Sequence, residues 1–412
     1  MAATINPRPN GTPLSSSLGD DAKPNLLYKV EGHNARVNDV FLLSKEEAVI
    51  TVSDDRSVRL YMKRDNGQFW PTIHQFMAVP PTCISFNEET NRLLIGMLNG
   101  SVFEYLVAED FNSMTETRKW QLHSGPVTAV HLSLEAELVF SCAKDKHIFW
   151  HCSETGAKMG SFLLEQSCQC MVVDLPFVFV GDQGGHVTVL RLTGSSPQLV
   201  SKLSAHTGAV TCLAWDASKQ QLFSGAADNL VIMWDIGGKR GQAYELNSHK
   251  SRVTSLAIIP TARRLFSVDD TGRLVCWDMS KTRMETPAWQ TSDACQQCDS
   301  PFFWNVTAMW QRKVVGQRQH HCRTCGAAVC DRCCSNRTTF PPMGFELPVR
   351  ICNACHEKMQ ANPEQFDLTP LALSHEVRTG VISMHVQPLQ GQLVMVGQNR
   401  MIYVWDIRGL CQ

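Results

Sequence analysis

The sequence predicts a mainly β chain: a closed ring of seven four-stranded repeats, with a small metal-stapled module set between the sixth and seventh. Three observations predict it. A pattern of an early His, a turn Asp and a closing Trp-Asp recurs along the chain. Four Cys-x2-Cys pairs fall between residues 295 and 355. The distance between the last two repeats exceeds the others by about the length of that cysteine-rich stretch.

The chain has 412 residues, room for two or three domains or one large repeat fold. Its net charge is −1 with 19% charged residues, so no global basic field exists to hold nucleic acid, and no nucleic-acid partner is expected. Charge is local instead: from 289 to 360 there are eight Lys/Arg against five Asp/Glu, a net of +3. No apolar run reaches the ~18 residues of a membrane span. Eight of the 17 cysteines are scattered singly and no apolar leader opens the chain, which suits a reducing, cytosolic compartment.

Residues 1–25 are rich in Pro, Ser, Gly and Asn and are expected to be disordered. Residues 26–282 carry the first six repeats. The clearest copy runs from His206 through Ser224 and Asp228 to Trp234-Asp235, and the next from His249 through Asp269-Asp270 to Trp277-Asp278. In such a repeat His206, Ser224, Asp228 and Trp234 can form one buried hydrogen-bonded set; catalysis by these residues is not expected. Degenerate copies place Tyr61, Tyr105, His151 and Leu190 where the others have Trp. In the sixth copy Asp270, seven residues before Trp277, is expected in the turn, with a bulge.

Taking Tyr61, Tyr105, His151, Leu190, Trp234, Trp277 and Trp405, successive spacings are 44, 46, 39, 44, 43 and 128. The last exceeds its neighbour by 128 − 43 = 85 residues, so residues 285–362 form an insertion hung from two linkers and 366–408 the seventh repeat. Leu26–Val30 should supply the outer strand of the last repeat and close the ring.

The insertion contains Cys295-x2-Cys298, Cys322-x2-Cys325, Cys330-x2-Cys333 and Cys352-x2-Cys355. Two residues between thiolates let both sulfurs meet one ion, so eight cysteines suit two structural Zn2+ with no open position. A module this small cannot build much core, and zinc, worth roughly 10–16 kcal/mol per ion, would supply its folding energy. Phe302, Phe303, Trp304, Met309 and Trp310, with Phe340, Phe345 and Leu347, are expected to provide what core there is.

Arg318-Gln319-His320-His321-Cys322-Arg323-Thr324-Cys325-Gly326 crowds imidazoles and guanidiniums between metal-spaced cysteines. Such groups gain nothing from a core and make sense if zinc holds them rigid around an anion. This stretch, Val349-Arg350-Ile351-Cys352, and Trp289 with Asp293 resemble the three hallmarks of FYVE domains. Gln319 stands in place of one basic residue, Ile351 in place of Val, and Trp289 and Asp293 are one residue further apart than in the family. The repeats resemble WD repeats, and the whole chain from about residue 26 resembles the WD-repeat and FYVE-domain-containing proteins.

That resemblance implies a seven-bladed WD-repeat β-propeller carrying a FYVE-type finger whose cysteine pairs interleave: Cys295, Cys298, Cys330 and Cys333 on one ion, Cys322, Cys325, Cys352 and Cys355 on the other. It implies a non-enzymatic adaptor bound to phosphatidylinositol 3-phosphate at early endosomes, with signalling or trafficking proteins on the propeller. Arg318, His320, His321, Arg323 and Arg350 would hold the head group. Val314 and Val315 sit where the family inserts an apolar loop into the bilayer, internal packing being the alternative. One module should bind modestly, so self-association would help through avidity. Histidines with an ordinary pKa near 6.5 would make affinity rise as pH falls from about 7.5 to 6. The alternative function is a ubiquitin-ligase-like subunit with the propeller as substrate receptor, disfavoured because no Cys-x-His precedes the third cysteine pair.

Overall fold

The computed structural model describes residues 23–44, 47–193, 196–237 and 242–411. Among them, seven four-stranded antiparallel sheets follow one another as the blades of a ring. Blade one comprises Val37–Leu42, Ala48–Ser53, Ser57–Lys63 and Phe69–Phe76 from the axis outward. Its second strand, AVITVS, is buried along its whole length. A central strand covered by neighbouring blades on both faces needs an unbroken apolar run rather than alternation. Outer strands read the other way, and Ser196–Ser204 in blade four is largely exposed and polar.

The register bears out the repeat reading copy by copy. Tyr61 pairs with Val49, Tyr105 with Leu93, His151 with Val139, Leu190 with Val178, Trp234 with Leu222, Trp277 with Leu265 and Trp405 with Leu393. Each partner is the second residue of its blade's second strand, so the degenerate copies hold the same place as the tryptophans. The turn before each third strand also repeats a left-handed residue: Arg56, Gly100, Lys146, Gly185, Asn229, Gly272 and Arg400 all have φ between 64° and 96°. At Gly100 a Cβ would fall 2.1 Å from the His123 carbonyl oxygen, so no larger residue fits there.

Buried polar sets pin the blades. His206 contacts Asp228 through Nδ1 at 3.1 Å and Ser224 through Nε2 at 2.7 Å, and Trp234 Nε1 donates to Ser224 Oγ at 2.8 Å. The sixth copy departs from expectation. Asp269, not Asp270, takes the His249 Nδ1 contact at 3.0 Å, while Ser267 bridges His249 and Trp277. Asp269 Oδ1 also accepts from the Thr271 and Arg273 amides, so a carboxylate one place earlier than expected does the same work without a bulge. In the seventh copy Met395 occupies the serine place, and Trp405 Nε1 is buried without a partner among the described residues.

The ring closes through its N-terminus. Asn25–Val30 pairs with Ile402–Asp406 as the outer strand of blade seven. Of the segment expected to be disordered, residues 1–22 lie outside the described residues, and Asn25 already belongs to this strand. Among the described residues no helix is long and apolar enough to cross a membrane.

The insertion falls between repeats but inside a blade. Blade six takes Val253–Ile259, Arg264–Asp269 and Arg273–Asp278 from before the cysteine-rich module and Ala372–Glu376 from after it. A repeat begins with the outer strand of the preceding blade, so the two statements agree.

The module does not hang from linkers; it is docked on blade five. Asn247, just past that blade's outer strand Gln242–Leu246, donates its N–H to the Gly344 carbonyl at 2.8 Å. Its carbonyl accepts from the Glu346 and Leu347 amides at 3.0 and 3.3 Å. Phe345, paired with Asn247, is buried. Burial pushes the Glu346 carboxyl up to about 7, and the Leu371 amide donates to it at 3.0 Å where the chain re-enters the ring.

Candidate functional site

Among the described residues two cysteine clusters form, Cys295–Cys298–Cys330–Cys333 and Cys322–Cys325–Cys352–Cys355, each with its sulfurs within 4.8 Å of one another. Cys298 and Cys330 sulfurs are 3.6 Å apart, Cys325 and Cys352 sulfurs 3.9 Å. Zn–S bonds of about 2.3 Å at tetrahedral angles need S···S separations of about 3.8 Å, so both clusters fit zinc. The Cys330 and Cys352 amides each donate to the sulfur of a first-pair cysteine, Cys295 and Cys322, at 3.2 Å. Such bonds stabilise thiolates. Four sulfurs per site leave no open position, which makes these sites structural.

Between the zinc sites and the ring lies a cleft of about 400 Å³ lined by Asn247, Trp289, Gln319, His320, His321, Arg323, Arg337, Pro348, Val349 and Arg350. Four of the five residues expected at the head-group site meet there: His320, His321, Arg323 and Arg350. Arg318 does not line it. It is exposed, and reaches the cleft only as one of the charges that lower the His320 pKa.

His321 ends the two-residue strand His320–His321 and Arg323 lies in the turn just after Cys322, and both lie against Trp289. The imidazole stacks on the indole with centroids 4.7 Å apart and planes 9° from parallel, and the Arg323 guanidinium lies 4.7 Å from the ring centroid. His321 Nε2 also lies 3.1 Å from the Gln290 carbonyl oxygen. Arg350 Nη1 donates to Asp331 Oδ1 at 2.5 Å and to the Cys334 carbonyl at 3.1 Å, and His320 Nε2 lies 3.5 Å from the same carboxylate. Burial and then Arg350 lower the His320 pKa, with Asp331 opposing, so His320 takes up its proton at lower pH than the ordinary value implies.

Three cleft residues escaped sequence reasoning. Arg337 pairs directly with Arg350 across the two strands Asn336–Phe340 and Phe345–Ile351. Like charges directly opposite destabilise a ribbon unless an anion sits between them, and a pairing this local could have been found had the turn at 341–344 been recognised. Trp289 was noted as a hallmark residue but not as a cleft wall. Asn247 belongs to a distant repeat, and no local pattern marks it. Asp293 lies elsewhere, its carboxylate accepting from Trp304 Nε1 at 3.0 Å.

Val314 and Val315 are exposed, 44% and 79%, so they do not pack inside. The expected core is also only partly a core. Phe302, Phe340 and Phe345 are buried, but Phe303, Trp304 and Trp310 are exposed, Trp310 to 86%. Residues 306–312 form a short helix, α1 (Val306–Arg312), capped by Asn305 and ended at Lys313 in the left-handed region. None of its residues is buried, so a seven-residue helix lifts Trp310 out of the module instead of burying it.

The FYVE zinc finger family model matches residues 285–361, and the WD domain, G-beta repeat model matches 24–61, 197–235 and 241–278. The chain is 61% identical over 411 residues to "WD repeat and FYVE domain-containing protein 2" of Caenorhabditis briggsae, covering 100% of this chain and 98% of that one. The chain belongs to the WD repeat and FYVE domain-containing family. Protein 2 of that family in Homo sapiens is 47% identical over 409 residues, covering 99% of both chains. A 75-residue stretch, 18% of the chain, is 36% identical to part of the vacuolar protein sorting-associated protein 27 of Yarrowia lipolytica, covering 11% of it. Among solved structures, the WD40 β-propeller domain of Doa1 superposes with a TM-score of 0.60 over 93% of this chain and 97% of that one at 13% identity, a likeness of fold alone. Only the first, fifth and sixth WD repeats are matched by the family model, so the remaining blades of this family member are recognisable by register more than by residue identity.

Proposed function

We propose that the chain is a non-enzymatic adaptor that binds phosphatidylinositol 3-phosphate on the cytosolic face of early endosomes and carries signalling or trafficking proteins on its propeller. The observation that supports this most is the opposed Arg337–Arg350 pair in a cleft shared with Arg323, His320 and His321. Guanidiniums give charge-assisted, often bidentate bonds to phosphate oxygens. Two structural zinc ions hold the loops that present them. A phosphate would take over from Asp331 as the partner of Arg350 and relieve the like-charge pairing.

Exposed Val314, Val315 and Trp310 supply the apolar component, beside Arg312 and Lys313, which would add roughly 1 kcal/mol each at an anionic surface. Self-association would strengthen attachment by avidity.

The test is co-sedimentation of the full-length chain with vesicles containing phosphatidylinositol 3-phosphate, phosphatidylinositol 4-phosphate or plain phosphatidylinositol. Binding should favour the 3-phosphate and be lost in Arg323→Ala with zinc retained. Val315→Asp should weaken vesicle binding about tenfold through lost apolar burial, while leaving affinity for soluble inositol 1,3-bisphosphate unchanged. Equal binding to all three lipids would refute the reading.

A further inference from the structure

One wall of the cleft comes from the ring. Asn247 lines it together with His320, His321, Arg323, Arg337 and Arg350. Both backbone groups of Asn247 are committed to the module, through the bonds to Gly344, Glu346 and Leu347. Its side-chain amide is half-buried and has no hydrogen-bond partner among the described residues. The residue is therefore held in place while its carboxamide stays available.

The chemistry it adds differs from that of the module. Guanidinium groups only donate; a carboxamide both donates and accepts. An inositol ring presents hydroxyls as well as phosphate, and each hydroxyl proton needs an acceptor. Asn247 brings one through Oδ1. Gln319 brings the other amide, already placed 3.5 Å from His321.

We propose that Asn247 of blade five reads the head group, so that the phosphoinositide site is shared between propeller and zinc module; this rests on the function proposed above. The arginines and histidines take the phosphate. Asn247 accepts from an inositol hydroxyl. Because the cleft is complete only when the module is docked, head-group binding also strengthens docking, by the same factor that docking strengthens binding.

The experiment uses full-length wild type, Asn247→Ala and Asn247→Asp. It measures binding to vesicles with the 3-phosphate or the 3,5-bisphosphate lipid, and to soluble inositol 1,3-bisphosphate. Asn247→Ala should weaken both the 3-phosphate vesicle and the soluble head group about tenfold, the worth of one hydrogen bond in such a site. Asn247→Asp should bind all three more weakly still. Zinc content and thermal midpoint should not move, since the junction uses the Asn247 backbone. Unchanged or tighter binding in Asn247→Ala, or a loss seen with vesicles but not with the soluble head group, would overturn the proposal. Wild type that ignores the 3-phosphate would overturn it and the function it rests on together.

Discussion

The junction between ring and module offers a sharp perturbation in Gly344→Ala. Gly344 has φ +83°, and a Cβ there would lie 1.8 Å from the Glu245 carbonyl oxygen and 2.9 Å from its carbon. Ordinary contact needs roughly 1.5 Å more, and both atoms are backbone, so no side chain can swing aside. That displacement breaks the 2.8 Å bond from Asn247 N–H to Gly344 and strains the two bonds accepted by the Asn247 carbonyl. Three bonds at about 1 kcal/mol each, with about 1 kcal/mol for an L-residue in the left-handed region, remove about 4 kcal/mol from docking. The zinc sites and blade cores are untouched. Native-state hydrogen exchange at the Asn247, Glu346 and Leu347 amides should speed up about a thousandfold, with zinc remaining at two per chain. Unchanged protection at those three amides would show that this junction does not hold the module.

Two further outcomes follow from the same structure. Chelation of zinc should unfold the module, abolish vesicle binding and leave the β-sheet circular dichroism of the propeller largely intact, with recovery on adding zinc back; retained vesicle binding after complete zinc removal would contradict this. Asp269→Asn tests the blade-six pin. Burial works against the Asp269 carboxylate, but hydrogen bonds from His249 and Thr271 hold its pKa at about 2. A depressed carboxylate stabilises the fold above its unfolded value near 3.8 and loses that contribution as pH falls towards 2. The variant should be about 2 kcal/mol less stable in urea at pH 7, converging on wild type as pH falls through that window.

The ring was legible because each blade repeats a local demand. A Trp, Tyr, His or Leu at one register position, an apolar second strand and a tight turn recur whatever else has drifted, so spacing alone located His151 and Leu190. The Asp269 substitution for Asp270 was hidden because either carboxylate fits the pattern and only turn geometry decides. The zinc ligands were legible for a similar reason: a fixed coordination geometry imposes a fixed spacing. Arg337 and Asn247 were not, since pairing between strands and docking between repeats bring together residues whose sequence separation carries no signal. Trp310 misled because aromatic content predicts burial on average, and only the short exposed helix around it shows that this one is spent on the surface.

Blade six sets an order on chain assembly. Its third strand ends at Asp278 and its outer strand begins at Ala372, 372 − 278 − 1 = 93 residues later, whereas the same step in blade five spans 242 − 235 − 1 = 6. Closing a floppy 93-residue loop in place of a 6-residue one costs on the order of 2–3 kcal/mol of chain entropy. A folded module brings its two ends together, with Met284 bonded to Pro342 and Leu371 bonded to both Asp278 and Glu346. The wait for the last strand is then no longer a wait for random encounter. During synthesis the metal would be captured before the ring shuts, so a cell's zinc supply would reach the maturation of the propeller through the module inserted in it.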